Sequence, residues 1–154
     1  MARIRANSGS GSGSIKSIKD MVREKALNGG FSTSYTLSGY QSRCVVNEGK
    51  LSVDTDKKIC YLYCDFTMDQ TVSSASWVGL AVFSSQVPST YRPIDFENTS
   101  INGFELINAD DAGLTQKRCC YIQNYQNASY LGTGYGTTFN DGEHHIVYAM
   151  WTYL

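Results

Sequence analysis

Carboxylates, imidazoles, thiols and a patch of tyrosines with amides are the side chains of this chain that could do chemistry. The carboxylates gather at Asp110-Asp111 and at Asp141-Gly142-Glu143. Cleaving a glycosidic bond needs two carboxyls held across a sugar, one with a raised pKa. Both groups here sit in turn contexts, where Asp caps backbone amides, so no enzyme is expected. His144-His145 stands beside Asp141 and Glu143 and carries metal-ligand chemistry. Adjacent strand residues point to opposite faces, so the two imidazoles do not share one site within a chain; only one His per subunit on a symmetry axis could gather an ion. Neither a metal nor a cofactor is expected. Cys60 and Cys64 lie on one face of a strand pattern with their Cα atoms roughly 13 Å apart, out of disulfide reach. Cys119 and Cys120 point to opposite faces, and Cys44 stands alone. All five read as buried reduced thiols used as small hydrophobes, which implies folding in a reducing cytoplasm.

The best binding candidate is the stretch from Gln126 to Asp141. Tyr130 and Tyr135 offer ring faces there, and Asn127, Asn140 and Asp141, with His144 alongside, offer partners for hydroxyl groups. Sugars bind through this combination of aromatic faces and planar polar groups. The segment Gly132-Thr133-Gly134-Tyr135-Gly136 precedes no helix pattern and lacks the Lys of a phosphate loop.

Those residues need a frame. The chain has 154 residues, enough for one domain with a short appendage. Its net charge of −1 and charged fraction of 18% give no basic footprint for nucleic acid. No apolar run approaches the roughly 20 residues of a bilayer span, so membrane insertion is not expected. Residues 1–14 read as an expression scar with a Gly/Ser linker. Residues 15–29 read as a helix: Ile15, Ile18 and Val22 fall on a heptad seam and Asn28-Gly29-Gly30 stops it. Residues 30–154 carry about eight short strands spaced by turns, with a hairpin expected at Asn47-Glu48-Gly49-Lys50. Ile59–Asp69 alternates most cleanly, with Cys60, Leu62, Cys64, Phe66 and Met68 inward. An antiparallel, jelly-roll-like β-sandwich fits this pattern.

The run from Ile146 to Leu154 is apolar or aromatic on both alternating faces. Such a strand is covered twice, once by its own domain and once by something else. Another copy of the chain is the simplest second cover, with Val147, Trp151 and Tyr153 toward it.

Val87-Pro88-Ser89-Thr90-Tyr91-Arg92-Pro93 resembles a turn element, Leu-Pro-x-x-Tyr/Phe-Arg-Pro, of bacteriophage tail-fibre and receptor-binding-protein heads. The order of features around it is also similar: a hairpin-like segment at 45–51, a long strand, the turn, and a closing aromatic strand ending Trp151-Thr152-Tyr153-Leu154. The resemblance implies a homotrimeric head on a coiled-coil neck at the virion's tail tip. Such a head joins upstream tail-fibre or baseplate proteins and adheres to a bacterial surface polysaccharide. Ile15, Ile18, Val22, Val147, Trp151 and Tyr153 would then form the trimer interface. The turn's own job reads as structural, because Pro88 and Pro93 take the chain out of the sheet. Two other classes fit the same sequence: a ligand-free trimerisation tip, and a carbohydrate-binding module of a cell-wall enzyme.

Overall fold

A computed structural model describes residues 17–73, 77–93, 102–108, 118–134 and 137–154, with 102–108 and 118–119 as backbone. The linker at 1–14, Ile15, the Asp110-Asp111 pair and Tyr135 lie outside the described residues. The protein is mostly β. Eight strands carry the fold: β1 (Thr33–Gly39), β2 (Cys44–Asp54), β3 (Ile59–Met68), β5 (Val78–Phe83), β6 (Asn102–Asn108), β7 (Arg118–Tyr125), β8 (Ala128–Thr133) and β10 (His144–Thr152). Two short strands, β4 (Val72–Ser73) and β9 (Thr138–Phe139), pair with each other.

The strands form one ring in the order β1-β2-β3-β10-β6-β7-β8-β5, antiparallel throughout. Pairing of β1 with β5, from Leu37↔Phe83 to Gly39↔Ala81, closes it. The meander β1-β2-β3 has β5 beside β1, and the meander β6-β7-β8 has β10 beside β6. Each half is therefore a Greek key. A jelly roll also contains two Greek keys, but here the described strands link into one ring, joined at β10–β6 and at β1–β5 by three residue pairs each.

Period-two alternation fills the barrel. Cys60, Leu62, Cys64, Phe66 and Met68 of β3 are all buried inside, joined by Leu51, Leu80, Ile122, Leu131 and Val147. The four described thiols, Cys44, Cys60, Cys64 and Cys120, are buried, as small hydrophobes are. The side chain of Cys119 is outside the described set.

The expected hairpin at Asn47–Lys50 is not a turn. β2 runs straight through it and pairs with β3 along its length, with a bulge between Val46 and Glu48. Asn47 is the extra residue, and its amide donates to Asp65 Oδ1 at 2.9 Å. Gly49 is there for close approach, since a Cβ would meet Val46 at 2.8 Å and Leu37 at 2.9 Å.

The helix α1 (Ile18–Asn28) begins at an N-cap, Ser17, whose Oγ accepts from the Asp20 amide at 3.1 Å. Gly29 N–H closes it on Lys25 O, and Gly30 at φ +71° turns the chain away. Val22 and Ala26, one turn apart, are buried against Tyr61 and Tyr63 of β3 and Ile146 of β10. Ser52 Oγ donates to Ala26 O at 2.6 Å, and Arg23 holds Glu48 through two bonds of 2.9 and 2.6 Å. Over Ile146 and Tyr148 the second cover of the last strand is thus this helix of the same chain, while Met150 farther along stays 45% exposed. Of the residues expected between subunits, Val22 is fully buried between α1 and the barrel, and Val147 inside the barrel. Trp151 is half-buried, with its indole N–H donating to Tyr91 O at 2.9 Å, and Tyr153 packs edge-on against Tyr91. Ile18 stays 61% exposed.

The Val87–Pro93 segment does the structural work read from its prolines. Val87 is buried, with its amide held by Ser129 Oγ at 2.8 Å, and Ser89–Tyr91 form one 3-10 turn. Tyr91 closes that end of the barrel against Tyr153 and the core.

Candidate functional site

The β1–β2 connection is a tight four-residue turn, Tyr40-Gln41-Ser42-Arg43, closed by Arg43 N–H on Tyr40 O at 3.1 Å. Gln41 and Ser42 both sit in the left-handed region, at φ +52° and +54°. Two consecutive positive φ values match the right-handed twist of a hairpin, but a side chain there costs about 1–2 kcal/mol per residue. The turn is held from outside: the Gln70 side-chain amide donates to Gln41 O at 3.3 Å and Ser42 O at 3.1 Å. Tyr40 N–H donates to Leu80 O at 3.0 Å, which pins the turn against β5. Ser42→Gly should therefore raise stability by about 0.5–1 kcal/mol, the relief of strain less the extra chain entropy of glycine. Urea unfolding checks this, and an unchanged or lowered midpoint would show a relaxed turn.

Against this turn lies a groove of about 270 Å³. It is lined by Tyr40, Gln41, Arg43, Trp77, Val78, Gly79, Tyr125 and Tyr130. The rings meet edge to face: Tyr40 and Tyr130 have centroids 4.8 Å apart at 67°, and Trp77 and Tyr130 are 5.9 Å apart at 74°. That arrangement satisfies the ring quadrupoles. Glycine makes room for it. A Cβ on Gly79 would stand 3.2 Å from Trp77 and 3.4 Å from both Tyr130 and Tyr40. A Cβ on Gly132, opposite Gly79 in the ladder, would stand 2.8 Å from the Trp77 indole.

The polar groups are few and placed. Arg43 Nη1 donates to Gly79 O at 2.6 Å, and its guanidinium carbon lies 5.3 Å from the Tyr40 centroid, a cation–π distance. Gln41 Nε2 donates to the Tyr40 hydroxyl at 3.1 Å. Desolvation, then the neighbouring Tyr40, pushes the Tyr130 phenol above its ordinary pKa. It is neutral at pH 7, so its hydroxyl both donates and accepts.

Of the residues singled out in the sequence, Tyr130 lies in this groove. Asn127 is exposed in the two-residue turn between β7 and β8, next to Tyr125. Asn140 and Asp141 belong to the β9–β10 connection, and His144 opens β10. Asn140 Nδ2 donates to Glu143 Oε1 at 2.7 Å, Asp141 N–H to Thr71 Oγ1 at 3.1 Å, and His144 Nε2 pairs with Asp65 Oδ1 at 2.5 Å. His145 turns the other way, buried beside Phe66 and Phe139 and bonded to Glu143 Oε2 at 3.0 Å. The two imidazoles diverge, as adjacent strand residues must. No cluster of metal-ligating side chains occurs among the described residues. The expected loop from Gln126 is in its first part strand β8, which is why Tyr130 joins a sheet-borne groove instead of a loop site. Tyr40, Gln41, Arg43, Trp77 and Tyr125 carry no signal in the sequence that marks them as a site. The pairing of β1 with β5 and of β5 with β8 brings them together, and no local pattern announces either pairing.

No family model, curated protein or solved structure matches this chain. Its chemistry rests on the groove itself.

Proposed function

We propose that this domain is the receptor-binding head of a phage tail fibre, which holds a bacterial surface saccharide non-covalently, without turnover, at the Tyr40–Trp77–Tyr125–Tyr130 groove. The groove carries the proposal: four aromatic side chains around a polar minority of Arg43 and Gln41 is the composition that takes the CH face of a sugar while meeting its hydroxyls. Its volume of about 270 Å³ is at the small end of ligand sites, which start near ~300 Å³. One sugar ring or little more fits, so each site is weak. Three linked sites in a trimer then supply adhesion by effective concentration. The resemblance around Val87–Pro93 supports the phage setting, and the exposed apolar side chains of Ile18 and Met150 support a neighbouring copy.

Trp77→Ala and Tyr130→Ala should each weaken binding about 3–10-fold with the fold retained. Adsorption of the fluorescent domain to a panel of bacteria, competed by their extracted wall polysaccharide, measures it. Two variants that adsorb like the parent would remove the groove from the account.

One observation favours a second reading. Because α1 covers the last strand within the chain, a monomeric carbohydrate-binding module uses the same groove without needing a trimer. Light scattering separates the two, a threefold mass supporting the fibre head and a single-chain mass the module.

A further inference from the structure

Resting on the saccharide reading of the groove, we infer that its ligand is an acidic sugar, with a carboxylate or phosphate placed against Arg43. Among the eight residues that line the groove there is one charged side chain, Arg43, and no carboxylate. Sites for neutral sugars rely on acceptors, because each sugar hydroxyl brings a proton that must be received. The acceptors here are neutral: phenol oxygens and the Gln41 amide. Donors, in contrast, are in excess. A guanidinium has five N–H groups, and the bond to Gly79 O engages one of them. No carboxylate among the described residues pairs with Arg43, although Arg23 of the same chain is tied to Glu48 at 2.6 Å. The indole N–H of Trp77, which also lines the groove, is buried without an acceptor among the described residues.

Arg43 is also held for use. Its backbone closes the strained turn, its amide bonding Tyr40 O and its carbonyl accepting Asp69 N–H at 3.0 Å. Its side chain lies on the Tyr40 ring and on Gly79 O, so little rotamer freedom remains to be lost on binding. Aromatic walls lower the local dielectric, which strengthens a charge-assisted bond relative to one in water. A planar fork suits two oxygens of one anionic group. Carboxylate and phosphate share that chemistry, and the ligand's source decides between them.

The test is calorimetric titration of the whole domain with three probes: an oligoglucuronate, the same oligomer with its carboxyls reduced to alcohols, and a phosphodiester-linked oligosaccharide. At least one acidic probe should bind 10-fold or more tighter than the neutral one. That margin should shrink as salt rises from about 0.05 to 0.5 M, where charge attraction is screened within a few ångströms. Arg43→Gln should abolish the margin and Arg43→Lys should keep part of it. The salt dependence of the unsubstituted domain discriminates even if Arg43→Gln unfolds, since an acidic probe whose advantage ignores salt is not held by charge. Binding of the reduced oligomer as tight as or tighter than that of both acidic probes overturns the acidic ligand but leaves the saccharide groove standing. Binding of none of the three overturns both.

Discussion

Val22→Asp should destabilise the single chain by about 3 kcal/mol or more. Val22 is fully buried between α1 and the barrel, so the change removes about 1.5–2 kcal/mol of apolar burial. It also strands a carboxylate among Tyr61, Tyr63 and Ile146, away from the water that would solvate it. Peeling α1 away limits the loss, but then Ala26, Tyr61 and Ile146 are bared as well. Ile18→Asp, one turn earlier on the same heptad seam, makes the instructive contrast. Ile18 is 61% exposed, so the single-chain cost should stay within about 0.5 kcal/mol. Urea unfolding at two protein concentrations, with light scattering, reads both variants. If Val22→Asp unfolds like the parent, α1 does not pack on the barrel. If Ile18→Asp alone lowers the solution mass, the exposed half of the seam belongs to a neighbouring copy; an unchanged single-chain mass favours the monomeric module.

The two variants mark where the sequence was informative and where it fell short. Ile18, Val22 and Ala26 recur at four-residue spacing, so the helix and its Gly29-Gly30 stop were legible. What that stripe packs on was not, because a stripe of three apolar residues serves a neck or a sheet equally well. The same holds for β10. Its two apolar faces announced two covers; the fold supplies them from one chain at Val147, facing the barrel interior, and at Ile146, facing the helix, while Met150 stays 45% exposed. Alternation in β3 placed its interior residues, since period two is a local property. Strand order is not local. The β1–β5 pairing joins residues more than forty positions apart, and the groove needs that pairing together with β5–β8. Gln41 and Ser42 hide it further, because a turn with two positive φ values usually advertises itself with Asn or Gly. Asn47-Glu48-Gly49-Lys50 erred in the opposite direction, with turn-like residues serving a bulge and a close contact.

Alkaline pH should unfold the protein more effectively than any single substitution. Burial pushes the Cys44 thiol up to about 11, the Cys60 thiol up to about 12, and the Cys64 thiol well above its ordinary 9.0. The unfolded chain gives up these protons from about pH 9 while the native barrel keeps them. Stability is therefore whole below pH 9 and falls as pH rises, for Cys44 until about 11 and for Cys60 until about 12. Each thiol removes at most ~1.4 kcal/mol per pH unit. Three together remove up to ~4 kcal/mol per unit, against a total stability of roughly 5–15 kcal/mol for a domain. Tyr35, Tyr61 and Tyr63, whose phenols burial raises above 10.0, steepen the fall at higher pH. Attribution therefore belongs between pH 9 and 10, before the phenols contribute. Urea midpoints across that interval should drop, and Cys64→Ala should flatten the drop by about one proton's worth while lowering the midpoint modestly at pH 7. A parent whose stability is level from pH 9 to 10, or a Cys64→Ala slope equal to the parent's, would mean that these thiols meet water in the native state. The barrel interior would then not be the dry, thiol-lined core that fixes β1 against β5 and with it the groove.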